Sequence, residues 1–126
     1  MKEFMMIFRN EKSDDGSMPS EAQMQTVLAE WQSWIKAIAA KGKFSGTNRL
    51  YPEGKTLKPG NVIMDGPYAE VKEMIGGYLI VNAASLDEAV EMARSCPGLV
   101  YGGNVEVRTV MPINSDSGSA TFLQPQ

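Results

Sequence analysis

The chain predicts an α+β fold, a βαββαβ unit whose antiparallel sheet carries both helices on one face. Three observations point there. Strand-like and helix-like apolar spacings alternate in that order along the chain, two segments keep helical periodicity, and the first strand is apolar on both sides although helices can cover only one.

The elements follow in order. Phe4, Met6 and Phe8 alternate with Met5 and Ile7, so a strand from about Lys2 to Arg9 presents apolar side chains both ways. Asn10 to Ser17, with Asp14-Asp15-Gly16, is a loop, and Ser20 with Gln23 three residues on forms a capping box after Pro19. Met24, Val27, Leu28, Trp31, Trp34, Ile35 and Ile38 then trace one helical face until Gly42 stops the helix. Trp31 and Trp34 sit in that stripe, so at least one of them is expected to pack in the core. Phe44 to Leu50 is a second strand, Tyr51-Pro52-Glu53-Gly54 and Lys58-Pro59-Gly60 are turns, and Asn61 to Asp65 is a short strand in the same ribbon or inserted beside it.

A further strand spans Gly77 to Asn82. Ser85 caps a second helix with Leu86, Ala89, Val90 and Ala93 on one face, and Glu88 is placed to complete a capping box. Pro97-Gly98 ends it. The last strand, Asn104 to Met111, turns Val105, Val107, Thr109 and Met111 one way and Asn104, Glu106, Arg108 and Val110 the other. Gly76-Gly77 and Gly102-Gly103 lack the spacing of a phosphate or dinucleotide loop and mark strand entries. In such a unit the first strand is central. Its second apolar face has no helix to cover it, and the sheet of another subunit is the natural cover, with a cavity between the layers.

Composition bounds the function. The 126 residues fit one domain, residues 1–113, followed by a polar Ser/Gly/Asp/Gln/Pro tail from 114 to 126 that cannot offset its ordering entropy by burial. Twelve basic residues against fifteen acidic give a net charge of -3 with no basic stripe, which argues against direct nucleic-acid binding. Lys36, Lys41, Lys43, Arg49, Lys55 and Lys58 make the second quarter locally basic, as a solvated surface or a site for an anionic small molecule. The single Cys96 and the absence of histidine remove disulfides, Cys/His zinc sites and His-dependent triads, and Cys96 before Pro97 reads as buried. The apolar run Phe4 to Phe8 is too short for a signal peptide or membrane span, so a cytoplasmic location is expected.

Chemistry concentrates in Asp65-Gly66-Pro67-Tyr68-Ala69-Glu70-Val71-Lys72-Glu73, directly after Val62-Ile63-Met64 and ahead of Gly76-Gly77-Tyr78-Leu79-Ile80-Val81. This stretch resembles the signature of the YCII-related family, in particular its DGPF subgroup, with Tyr68 where the subgroup has phenylalanine. The resemblance runs from Phe4 to about Pro112. It implies a ferredoxin-like domain pairing as a dimeric α/β barrel, an acidic site residue at Asp65, and in the parent family a His and Asp pair whose histidine this chain lacks. It also implies an association with extracytoplasmic-function sigma factors.

Asp65 has two readings. Facing the inter-sheet cavity, it is a general acid or base with a carboxyl pKa raised by burial; facing the turn, it caps Gly66-Pro67-Tyr68 through backbone N–H groups. Glu70 and Glu73 share a side if the segment is helical, whereas Glu70 and Lys72 share a face if it is extended, bringing an acid and a base near Asp65. Tyr68 and Tyr78 supply aromatic walls with hydroxyl tips, for a pocket or for a dimer core. Arg49, Arg108 and Glu106 are expected on a common face, where an Arg fork can hold a carboxylate or phosphate, or bridge to an acid across the ladder.

The expected function is therefore a small homodimer that binds or acts on a small molecule near Asp65 without metal or organic cofactor, with Tyr68, Glu70, Lys72, Tyr78 and Arg108 shaping the site. The alternative is a regulatory module serving a sigma factor.

Overall fold

The structure is a computed structural model that describes residues 1–9, 20–51, 53–65 and 74–113. Its strands are β1 (Lys2–Arg9), β2 (Phe44–Arg49), β3 (Lys55–Lys58), β4 (Val62–Asp65), β5 (Ile75–Ala83) and β6 (Asn104–Thr109), with helices α1 (Glu21–Ala40) and α2 (Leu86–Ala93). Four strands form one sheet in the order β2-β5-β1-β6, with all three pairings antiparallel. This is the expected α+β unit with β1 inside the sheet. The short strands β3 and β4 form a separate antiparallel hairpin, so Asn61 to Asp65 belongs to an insertion between β2 and β5.

Alternation decides which side chains meet the helices. Phe4, Met6, Leu79, Val81 and Ala83 are almost wholly buried and join Trp34, Ile38, Ala89, Ala93 and Cys96 in one core. Val105 and Val107 pack against it from β6, on the face the sequence assigns them. Ala89 and Ala93 are small, which lets α2 lie close to the sheet. Full burial of side chains such as Leu79 and Met6 stabilises the fold by about 1.5–3 kcal/mol each.

Helix α1 starts as its sequence predicts. Ser20 Oγ accepts from the Gln23 N–H at 3.1 Å while Gln23 Oε1 accepts from the Ser20 N–H at 2.8 Å. The helix then diverges from its predicted stripe. Trp34 and Ile38 are buried and Trp31 and Ile35 pack against the core, but Met24 and Leu28 remain 44% and 43% exposed.

Phe8, Trp31 and Trp34 form an edge-to-face cluster with ring centroids 4.9 to 6.0 Å apart, and the Trp34 indole N–H donates to the Met92 carbonyl and Ser95 Oγ. At α2, Ser85 Oγ accepts from the Glu88 N–H as expected. The second half of the predicted box is replaced. The Glu88 carboxylate accepts instead from Lys43 Nζ beside β2, because a cation within reach is a stronger partner than a backbone N–H.

Candidate functional site

The sheet face opposite the helices is built from the alternate positions of the same strands. One row across it reads Arg108, Met5, Ile80, Gly46, and the next reads Glu106, Ile7, Tyr78, Asn48. Met5, Ile7, Tyr78 and Ile80 therefore make a central apolar patch. They are only half-buried, unlike Phe4 and Met6 beside them, and no helix of the described residues lies over them.

Polar groups border the patch on both sides. On the β6 side Arg9 donates to Glu106 Oε1 at 2.7 Å, while the Arg108 guanidinium, 70% exposed, approaches Glu106 Oε2 only to 3.8 Å. On the β2 side Asn48 Nδ2 donates to the Tyr78 hydroxyl oxygen at 2.8 Å, and Ser45 Oγ donates to Glu3 Oε2 at 2.9 Å. Each of these contacts fixes a side chain against the sheet. The arrangement is a greasy floor with hydrogen-bonding groups at its margins, the composition expected of a ligand surface or of an interface core with a polar rim.

The predicted site residues separate. Tyr78 and Arg108 lie on this face, in adjacent rows and two strands apart. Asp65 ends β4 on the hairpin, opposite Lys55, whose Nζ donates to Asp65 Oδ1 at 2.7 Å with the carboxylate side chain 93% exposed. Tyr68, Glu70, Lys72 and Glu73 lie outside the described residues. Arg49 corrects one expectation: its register partner is Gly77, two residues before Leu79, so it points to the helix side of an edge strand while Arg108 and Glu106 point away from it. The β-bulge between Phe44 and Gly46 is one source of that error, because it shifts the register that a plain alternation assigns to β2.

Sequence reasoning missed Ile80, Asn48 and Arg9. The alternation of β5 contained the signal for Ile80, which shares its parity with Tyr78. Asn48 and Arg9 gain their roles only through partners on other strands. A concavity of about 630 Å³ lies on the helix side, lined by Ala22, Gln23, Thr26, Val27 and Tyr101. Its one ionisable group is already engaged, since the Tyr101 hydroxyl donates to the Glu30 carboxylate at 3.2 Å. Among the described residues no three Asp, Glu or Cys side chains converge as a metal site requires, and no helix is long and apolar enough to cross a membrane. Burial pushes the Cys96 thiol pKa up, which keeps it unreactive inside the core.

Comparison with known proteins adds three findings. A model of the YCII-related domain matches residues 4–114. An uncharacterized protein of Rhizobium meliloti (strain 1021) is 35% identical over 80 residues, a match that covers 60% of this chain and 64%, under two thirds, of that relative. The backbone is also similar to 5-chloro-2-hydroxyhydroquinone dehydrochlorinase from Burkholderia phenoliruptrix AC1100, solved in complex with 2,5-dihydroxybenzoquinone, at a TM-score of 0.46 and 20% identity over 90% of this chain and 97% of that one.

Proposed function

This chain belongs to the YCII-related domain family, and from that footing we propose that it works as a homodimer enclosing a small molecule between two copies of its uncovered sheet face. The observation that carries this is the patch of Met5, Ile7, Tyr78 and Ile80, apolar on a face that the helices of the described residues do not reach. Apolar side chains gathered in one patch and rimmed by polar groups mark a binding surface. Two such faces stacked about 10 Å apart bury the patch and leave room for a ligand between the layers. A two-fold axis is the simplest arrangement, since one patch then serves both partners.

Asp65 serves this chamber as a proton-transfer group only where the second protomer covers it. In the single chain its carboxylate is exposed to solvent and paired with Lys55. Binding is therefore the primary activity of the face, with Asp65 chemistry dependent on assembly.

Light scattering coupled to size-exclusion chromatography tests the assembly. The expected particle has twice the 13.8 kDa mass of the chain. A monomer that persists at micromolar concentration removes the enclosed chamber and the proposal with it.

A further inference from the structure

We propose that the β3–β4 hairpin is a dimerisation arm, covered in solution by a second copy of this chain. This rests on the preceding reading that two copies pair, and it names a second surface that holds them together.

The hairpin is apolar on both sides. Lys55–Lys58 pairs with Val62–Asp65 in a register that sets Leu57 and Ile63 on one face and Val62 and Met64, with Thr56, on the other. Leu57 is 73% exposed, Ile63 62%, Val62 47% and Met64 38%. Among the described residues the two strands join no larger sheet, and none of these four side chains belongs to the core or packs against it. A two-stranded hairpin by itself is at best marginally stable in water. Its turn is nonetheless well formed, with Gly60 and Asn61 at φ of 85° and 62°, the left-handed conformations that tight hairpin loops use. A ribbon so shaped, and apolar front and back, calls for a partner.

Three observations identify that partner as a second copy. The first is area. A stable interface takes about 20–30 residues and about 800 Å² on each side, whereas the patch of Met5, Ile7, Tyr78 and Ile80 offers four side chains that are already half-buried. Pairing through that face needs an extension. The second is position: β2 hands the chain to the hairpin after Arg49, whose register partner Gly77 adjoins Tyr78 of the patch, and the Leu50 N–H still donates to the Gly76 carbonyl at 2.9 Å. The hairpin therefore springs from the sheet beside the patch, and a two-fold axis that stacks the faces presents each arm to the other copy. The third is charge. Lys55 and Lys58 against Asp65 give the hairpin 2 - 1 = +1 on a chain of net charge -3, so the arm meets a partner of opposite sign.

Light scattering over a concentration series, read together with backbone hydrogen exchange, tests the arm on the full chain. Leu57→Thr with Ile63→Thr keeps a strand-forming residue at each position while stripping one face of its apolar side chains, and should raise the dimer dissociation constant about tenfold or more with far-UV circular dichroism unchanged. In the wild type, the amides of Lys55–Lys58 and Val62–Asp65 should exchange about tenfold more slowly in the dimer than in the monomer obtained by dilution. An unchanged dissociation constant in the double variant, or hairpin amides that exchange equally fast in dimer and monomer, overturns the arm and leaves the sheet-face dimer standing. A double variant that loses its secondary structure overturns it as well, since the hairpin is then part of the fold's own core. A chain that stays dimeric with Ile7→Glu but dissociates with the double variant supports the arm and removes the sheet-face pairing. A monomeric wild type sinks both.

Discussion

Ile7 and Tyr78 stand directly opposite one another on β1 and β5, both turned away from the helices. That pairing is the centre of the uncovered face. Ile7→Glu places a charge there and, if the proposed dimer forms through this face, should leave the chain monomeric while far-UV circular dichroism stays unchanged, because the side chain takes no part in the helix-side core. A particle that keeps its dimer mass with glutamate at this position counts against the assembly.

One residue along the same strand the outcome reverses. Met6 is fully buried against the helices, and Met6→Ala should cost about 2–5 kcal/mol in chemical denaturation. Trp34→Phe should cost about 1–2 kcal/mol by removing the N–H bonded to Met92 and Ser95. Losses below about 0.5 kcal/mol in both would mean that the helix-side layer is not the core.

Acid should weaken the join between β2 and α2. The hydrogen bond from Lys43 holds the Glu88 carboxyl below its ordinary 4.5, assisted by the ammonium charge and a backbone hydrogen bond at Ala84 and opposed by desolvation. A carboxyl depressed in the folded state binds its proton more readily when unfolded, so this contribution is complete above 4.5 and fades as pH falls through the lower folded value. Thermal midpoints recorded from about pH 6 to about pH 3 should fall less steeply for Glu88→Gln than for the wild type. Parallel curves would exclude the linkage.

Glycine substitutions should separate close approach from open space. A Cβ on Gly103 would meet the Arg9 carbonyl oxygen at 2.7 Å and one on Gly77 the Asn48 carbonyl oxygen at 2.8 Å, whereas Gly46 has nothing within 4 Å. Gly103→Ala and Gly77→Ala should each destabilise by about 1–3 kcal/mol, with Gly46→Ala within about 0.5 kcal/mol of the wild type. Denaturant midpoints that rank the three otherwise would contradict the backbone packing.

Asp65→Asn should leave stability almost untouched. The ion pair with Lys55 is exposed on both sides, and such pairs contribute about 0–1 kcal/mol. A fall in thermal midpoint of several degrees, seen by differential scanning fluorimetry, would assign Asp65 a structural role beyond that pair.

Much of the fold is legible residue by residue. The Ser20 and Gln23 box starts α1 as written, and the alternation of Phe4 and Met6 against Met5 and Ile7 gives β1 two apolar faces, although only the folded structure decides that Phe4 and Met6 meet the helices. The candidate site is less legible because its members meet across strands. Tyr78 and Arg108 are each recognisable as polar-tipped side chains, but their diagonal depends on β1 lying between β5 and β6 in a particular register. Arg49 faces the other way from Arg108 and Glu106 because the bulge at the start of β2 shifts its register against β5.

Local physics accounts for what the amino-acid order determines here: the helix starts at Ser20 and Ser85 and the two-sided first strand depend on neighbours a few residues apart. Strand order, register and the fate of Glu88, which leaves its own helix cap for Lys43, were decided only when distant segments came together. Long-range partners compete on distance and charge, and neither quantity exists until the chain has closed.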